Sequence, residues 1–153
     1  MKMLELKVPP VLVFAAFGVF MWFLSSITPQ IDILGVGRVV IVPIPAFAGL
    51  VVGLAGVRAF RNVGTTVHPM DPDRATSLVT TGIYGVTRNP MYLGLLCGLI
   101  SWALYLSAPW SLAGCFLFVA YMNRFQIVPE ERAMHGLFGD DFHRYCNRVR
   151  RWI

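Results

Sequence analysis

Charged side chains are scarce in this sequence. Of its 153 residues, 14% are charged and 56% are hydrophobic, a balance far from that of an average soluble domain. Three stretches contain no Asp, Glu, Lys or Arg: residues 8–31, 39–57 and 89–123. The composition therefore excludes an ordinary soluble domain and predicts one integral membrane domain, residues 1–153.

Disulfide frameworks and common catalytic motifs are missing as well. The cysteines number three, and two of them, Cys97 and Cys115, lie in an apolar stretch, so no disulfide framework is implied. The sequence has no G-x-S-x-G, Walker A or H-E-x-x-H motif. His143 and Cys146 lack a further pair of ligands at zinc spacing. We therefore predict no metal site.

Four transmembrane helices are predicted from the apolar stretches. About 20 helical residues cross the bilayer core, so the first two stretches suit one crossing each. The third is too long for one crossing, and we expect it to fold back at Pro109. The predicted spans are residues 9–27, 39–60, 90–106 and 110–128, with a cytoplasmic connector at 61–89 and a cytoplasmic tail at 129–153. The predicted fold class is all-α: a membrane helical bundle with short amphipathic helices at its C-terminal end.

The basic residues indicate the orientation of this bundle. With four spans, the N-terminus, the connector and the tail share one side, and every Lys and Arg except Arg38 falls there. Cytoplasmic segments are enriched in these residues, so we predict cytoplasmic termini, in the inner membrane of a bacterium. The net charge of +5 then reflects topology, and the dispersed arginines do not indicate a nucleic-acid partner.

Small residues are spaced for close helix packing on two predicted spans. Gly49 and Gly53 lie four residues apart on the second span, and Gly94 and Gly98 repeat that spacing on the third. Such faces let helices approach closely. They allow either packing within the chain or a homodimer.

The tail is predicted to form two short helices. We expect Pro129 to interrupt the preceding helix and Gly139 to end the first short one. The second has an apolar stripe and a basic stripe, typical of a helix lying on protein or among lipid headgroups. The apolar stripe comprises Phe142, Tyr145, Val149 and Trp152, and the basic stripe comprises Arg144, Arg148 and Arg151.

A helix start with a neighbouring arginine is the first candidate site. Asn89 is a favourable helix cap and Pro90 suits the first helical position, so the third span should begin there. Its free amides together with the Arg88 guanidinium would make an anion site. An ordinary cap beside a flanking charge explains the same residues.

Two adjacent carboxylates form the second candidate. Glu130 and Glu131 follow the last span, on the same predicted side of the membrane as Arg88. They favour the dipole of a helix start, or one of them binds a cationic or hydroxyl-bearing part of a ligand whose anionic end meets Arg88. Such opposed charges suit an amino-acid zwitterion or a sulfonium cofactor. His68 in the connector is a further candidate contact, with a surface-loop histidine as the alternative.

Two motifs carry a family resemblance. The first is G-I-Y-G-V-T-R-N-P-M-Y-L-G at residues 82–94; the second begins with the E-E pair at 130–131 and closes with V-R-R-W-I at 149–153. Together they resemble the isoprenylcysteine carboxyl methyltransferase and phospholipid methyltransferase group of integral membrane enzymes, over residues 64–153. The isoprenylcysteine enzymes of that group usually have His where this chain has Asn89.

The resemblance implies S-adenosylmethionine as cofactor, bound on the cytoplasmic side, and a lipid-facing opening for the substrate. We expect a membrane lipid, another lipophilic molecule or a small molecule as the acceptor. The implied cofactor-binding positions are Gly82, Tyr84, Arg88, Asn89, Pro90, Tyr92, Gly94, Glu130, Glu131 and Tyr145, to which we add His68.

In-line methyl transfer to a carboxylate, thiol or amine is the predicted chemistry, with Arg88, Glu130 and Glu131 as the catalytic residues. Arg88 would orient an anionic group, and either carboxylate would anchor the cofactor or accept a proton. Two alternatives remain open: a nicotinamide-dependent membrane reductase, because sterol reductases are similar in the fold of this C-terminal region, and a non-catalytic scaffold.

Overall fold

The computed structural model describes residues 5–31, 35–63 and 77–153, and within them it contains helices and turns but no strand. The predicted all-α fold is thus confirmed. His68 and the middle of the predicted connector lie outside the described residues. The α-helices are α1 (Pro10–Ile27), α2 (Arg38–Ile41), α3 (Pro43–Val63), α4 (Pro90–Leu106), α5 (Leu112–Met122) and α6 (Val128–Arg148).

Membrane-length helices dominate the described part of the chain. Helix α1, the stretch Gly35–Asn62 and the stretch Pro109–Arg148 are long and apolar enough to cross a bilayer. Helix α4 is apolar but has 17 residues, or about 26 Å at about 1.5 Å per residue. An integral membrane protein is therefore supported, and the count of four spans stays a prediction.

The helices pack into a bundle with two distinct ends. Met21 of α1, Leu99 of α4 and Phe118 of α5 are fully buried in its core. At one end, the backbone N–H of Ile31 donates to the Ser107 carbonyl at 2.7 Å. Residues near the N-terminus, the start of α4 and the start of α6 meet at the other end, which we call the site end.

Helices α3 and α4 meet through glycines. A Cβ atom on Gly94 would lie 2.6 Å from the Gly49 carbonyl oxygen, and one on Gly49 would lie 2.7 Å from Cβ of Cys97. Only residues without a side chain fit there. The predicted small-residue faces are therefore used within one chain, and the homodimer stays a prediction.

Two irregularities shape the last helical stretch. The expected interruption at Pro129 is wrong: a five-residue π segment, Asn123–Ile127, joins α5 to α6 without ending the helix. In that segment the N–H of Val128 pairs with the Asn123 carbonyl, five residues back. A π turn can absorb the disruption that proline causes. Gly139 has φ 48° and bends α6, as expected for a glycine stop.

The tail differs from its predicted helical stripe. Phe142, Tyr145 and Val149 are buried in one cluster, so the second half of α6 does lie on protein. The helix ends at Arg148, however, and Val149 and Trp152 lie beyond it. Arg151 therefore does not face lipid with the basic stripe, because the chain leaves the helix before reaching it.

Candidate active site

Three parts of the chain converge at the site end: the start of α4, the start of α6 and residues 149–152. The Arg88 N–H donates to the Arg150 carbonyl at 3.1 Å. The indole N–H of Trp152 donates to Oδ1 of Asn123 at 3.1 Å. These bonds join the residue before α4 and the π segment to the tail.

A shared carboxylate lies at the centre of this junction. Glu131 Oε1 is 3.0 Å from Arg88 Nη2, and both Glu131 oxygens accept from Arg151, at 3.0 Å from Nε and 2.6 Å from Nη2. The fork of Arg151 thus binds the carboxylate through two nitrogens, which is the strong geometry for such a pair. The Arg88 side chain is 13% exposed and that of Glu131 22%. Two cations around one anion leave a net positive charge, which favours an anionic ligand.

Glu130 has a different partner from its neighbour. The phenol of Tyr92, in the first turn of α4, donates to Glu130 Oε1. Tyr92 is buried, so this hydrogen bond lies largely out of water. The two carboxylates, adjacent in sequence, therefore have different partners: Glu131 pairs with two arginines, and Glu130 accepts a hydrogen bond from a neutral donor.

A hydrogen bond joins Tyr145 to Tyr84 at the site end. The Tyr145 phenol donates to the Tyr84 carbonyl at 2.7 Å, and the ring of Phe60 packs edge-on against Tyr84 with centroids 5.1 Å apart. Burial raises the pKa of Tyr84, so its phenol stays neutral. Tyr84 lies in a 3₁₀ turn that starts at Gly82, whose φ of 62° favours glycine.

Asn89 occupies the predicted cap position, but its side chain does not cap α4. Its Nδ2 instead donates to the Arg151 carbonyl at 2.8 Å, while its backbone N–H donates to Thr87 Oγ1 at 3.2 Å. The expectation of a side-chain cap is wrong: no amide of α4 donates to Asn89 Oδ1, and the side chain is held by the tail through Nδ2 instead. An imidazole N–H could donate to that carbonyl too.

Pro90 and Gly94 make packing contacts in α4. Pro90 lies against Gly56 of α3, and Gly94 lies against Gly49. Their contact with a cofactor stays a prediction.

Arg151 is the main residue of the site that was not predicted from the sequence. It belongs to the V-R-R-W-I run that closes the second motif, so that motif could have indicated it. Helical periodicity placed it on the lipid-facing stripe instead. Thr87, whose hydroxyl lies 3.4 Å from the Arg151 carbonyl, belongs to the motif at residues 82–94 but was not predicted as a site residue.

Fold and site together define a helical membrane protein with a largely buried ionic cluster at one end. Comparison with known proteins gives its family. The family model described as phospholipid methyltransferase matches residues 38–141, more than half of the chain. A Haemophilus influenzae protein described as uncharacterized is 41% identical over 63 residues, which are 41% of this chain and 100% of that protein. No solved structure matches significantly.

The chain therefore belongs to the phospholipid methyltransferase family. This membership indicates a membrane methyltransferase.

Proposed function

We propose that this protein transfers a methyl group from S-adenosylmethionine to a lipophilic acceptor at the membrane. The observation that carries the proposal is the cluster in which Arg88 and Arg151 share Glu131 beside the Glu130–Tyr92 pair. Membership of the phospholipid methyltransferase family supports the same reaction.

The donor set fits this cofactor. Arg88 Nε is buried and has no hydrogen-bond partner among the described residues, so the guanidinium keeps a donor for the carboxylate of the methionine moiety. Glu130 and Glu131 suit its ammonium group or the ribose hydroxyls. When bound, the cofactor would supply a methyl group already activated by its sulfonium.

The chain's own groups would position the reactants and exclude water. Arg88 would orient an anionic group, and its burial strengthens that interaction relative to bulk water. With an amine acceptor, a Glu130 oxygen could accept the released proton, and the Tyr92 hydroxyl would hold that carboxylate in place. A carboxylate or thiolate acceptor needs no base.

The lipophilic acceptor is argued from the helices around the site. Helices α4 and α5 reach the site end as apolar helices, and α1 and α3 expose large apolar side chains along their length. A substrate in the bilayer can thus approach along surfaces that are already apolar.

Ligand-dependent stability tests the proposal. We expect S-adenosylmethionine or S-adenosylhomocysteine to raise the unfolding temperature of the purified protein, with about 2.7 kcal/mol of stabilisation at 100 times the dissociation constant. Reduced nicotinamides should have no effect. Methyl transfer to a bacterial lipid extract would then identify the acceptor. Stabilisation by a nicotinamide alone would support a reductase, and stabilisation by none of them would contradict the proposal.

Substitutions of a buried and an exposed arginine, Arg88 and Arg144, form a matched pair of variants. Arg88→Gln should lower turnover by about 10²-fold or more, because a buried orienting charge is lost. Arg144→Gln removes a charge from an arginine that is 77% exposed and should leave turnover within about twofold, in keeping with the small effects of surface charges. A folded Arg88→Gln protein with wild-type kinetics would refute the role of Arg88.

A further inference from the structure

The helix that carries the paired carboxylates changes its winding just before them. The π segment Asn123–Ile127 precedes α6, and Pro129 follows at the second residue of that helix. Because proline has no N–H, the carbonyl of Phe125, four residues earlier, lacks the donor that an α-helix would give it. Glu130 and Glu131 come directly after this irregular turn.

A segment far away in the sequence supplies a donor for that carbonyl. The backbone N–H of Leu6 donates to Phe125 O at 3.0 Å, and the buried side chain of Gln126 donates to the Val8 carbonyl at 2.6 Å. Leu6 has a φ of 57°, which residues other than glycine rarely adopt. Such a conformation persists when surrounding contacts hold it. We call residues 5–8 the N-terminal strap.

Glu5 connects the π segment to α6. Its carboxylate lies 2.8 Å from Nη1 of Arg124, in the π segment, and 3.2 Å from Nη1 of Arg132, in α6. The Glu5 side chain is 11% exposed, whereas those of Arg124 and Arg132 are 44% and 59% exposed. The hydrogen bond from Arg124 lowers the pKa of Glu5, so the carboxylate is ionised at neutral pH.

We propose that the N-terminal strap is a positioning element for the site: Glu5 and Leu6 fix the direction in which α6 leaves the π segment, and so bring Glu131 to Arg88. Glu5 acts through the helix and touches neither candidate ligand-binding carboxylate. The strap lies outside residues 38–141, which the family model matches. The effect on ligand binding rests on the proposed function; the effect on the helix does not.

Hydrogen exchange tests the strap without any ligand. In the purified full-length protein, Glu5→Gln and Glu5→Ala should raise amide exchange in residues 128–133 by about fivefold or more, because local opening governs exchange. Exchange in the middle of α1 should not change. Lys7→Gln, which alters an exposed side chain of the strap, should match wild type. Wild-type protection at 128–133 in both Glu5 variants would overturn the proposal.

Ligand affinity tests the consequence for the site. Glu5→Ala should weaken S-adenosylhomocysteine binding by about tenfold, within the usual range for coupled sites. The Arg124→Ala/Arg132→Ala double variant should reproduce this loss, and adding Glu5→Ala should weaken binding no further, since all three changes break one network. Titration calorimetry on folded protein gives these constants.

The possible results separate a positioning role from a purely structural one. A lower unfolding temperature with unchanged affinity in Glu5→Ala would overturn the positioning role. If the wild-type protein binds neither S-adenosylmethionine nor S-adenosylhomocysteine, the proposed function fails, and the exchange measurement still decides whether the strap positions α6.

Discussion

At the scale of single residues, we expect position 89 to need a hydrogen-bond donor, because its side chain donates to the tail carbonyl of Arg151. Asn89 Nδ2 donates to it at 2.8 Å, across 62 positions of sequence, and Arg151 in turn holds Glu131. A side chain at the start of α4 thus supports the Arg151–Glu131 ion pair through the backbone of Arg151, without contact to either charged group.

Substitutions at position 89 test this explanation. Asn89→His should keep S-adenosylhomocysteine affinity within about threefold, because an imidazole N–H is also a donor. Asn89→Leu should weaken it about tenfold and lower the free energy of unfolding by about 1 kcal/mol, the usual net value of one hydrogen bond. Calorimetry and denaturant titration measure these effects. Equal affinities for the two variants would show that the donor is irrelevant.

At the scale of helices, the two irregularities of the last stretch have different causes. Pro129 lacks an N–H and is accommodated by a π segment, whereas Gly139 bends α6 through a backbone conformation that a side chain disfavours. The π segment sets the direction of Glu130 and Glu131. The bend at Gly139 lets Phe142 and Tyr145 pack against the protein.

A glycine pair in α6 tests the second cause. A Cβ atom at Gly136 or Gly139 would meet no atom within 4 Å, but only Gly139 has a positive φ. Gly139→Ala should therefore lower the free energy of unfolding by about 1–2 kcal/mol, and Gly136→Ala should leave it equal or raise it by about 0.5–1 kcal/mol. Thermal unfolding in detergent compares them. Equal destabilisation by both would contradict the backbone explanation.

A second glycine pair tests the contact between α3 and α4. A Cβ on Gly49 would fall 2.6 Å from the Gly94 carbonyl oxygen, whereas one on Gly53 would meet nothing within 4 Å. Gly49→Ala should cost about 1–3 kcal/mol because the helices must move apart. Gly53→Ala should be neutral. Stability measured in mixed detergent micelles would show the difference, and an unaffected Gly49→Ala protein would mean that the helices are farther apart.

At the scale of the whole molecule, the site end gathers residues from both ends of the described chain. Glu5 of the N-terminal strap, Arg88 and Arg151 lie there, while Arg38 hydrogen-bonds Ser107 at the opposite end. This arrangement fits an even number of crossings. The distribution of arginines predicts that the site end faces the cytoplasm.

Reporter fusions test this orientation. A fluorescent protein fused after Ile153 should fluoresce in a bacterial host, because that reporter folds in the cytoplasm; alkaline phosphatase at the same point should be inactive. Phosphatase inserted near Gly35 should be active. The reverse pattern would invert the predicted topology.

The parts of the structure that follow from local chemistry were predictable from the sequence. The apolar stretches predicted α1, α3, α4 and α5, since helices satisfy the backbone in lipid. The Asn89–Pro90 pair predicted the start of α4, because proline is favoured at the first helical position. The direction of Arg151 was not predictable from helical periodicity: α6 ends at Arg148, and the tail is held by partners more than 60 positions away.

The sequence separation of these partners also sets the order in which the contacts of the site form. Arg151 follows all six α-helices of the described residues, yet its guanidinium and carbonyl complete the contacts around Glu131 and Asn89. During biosynthesis the helices can enter the bilayer before this arginine has been translated. Freshly inserted intermediates would therefore lack the Arg151–Glu131 pair, and the ionic cluster would form only after the tail has packed against the start of α4.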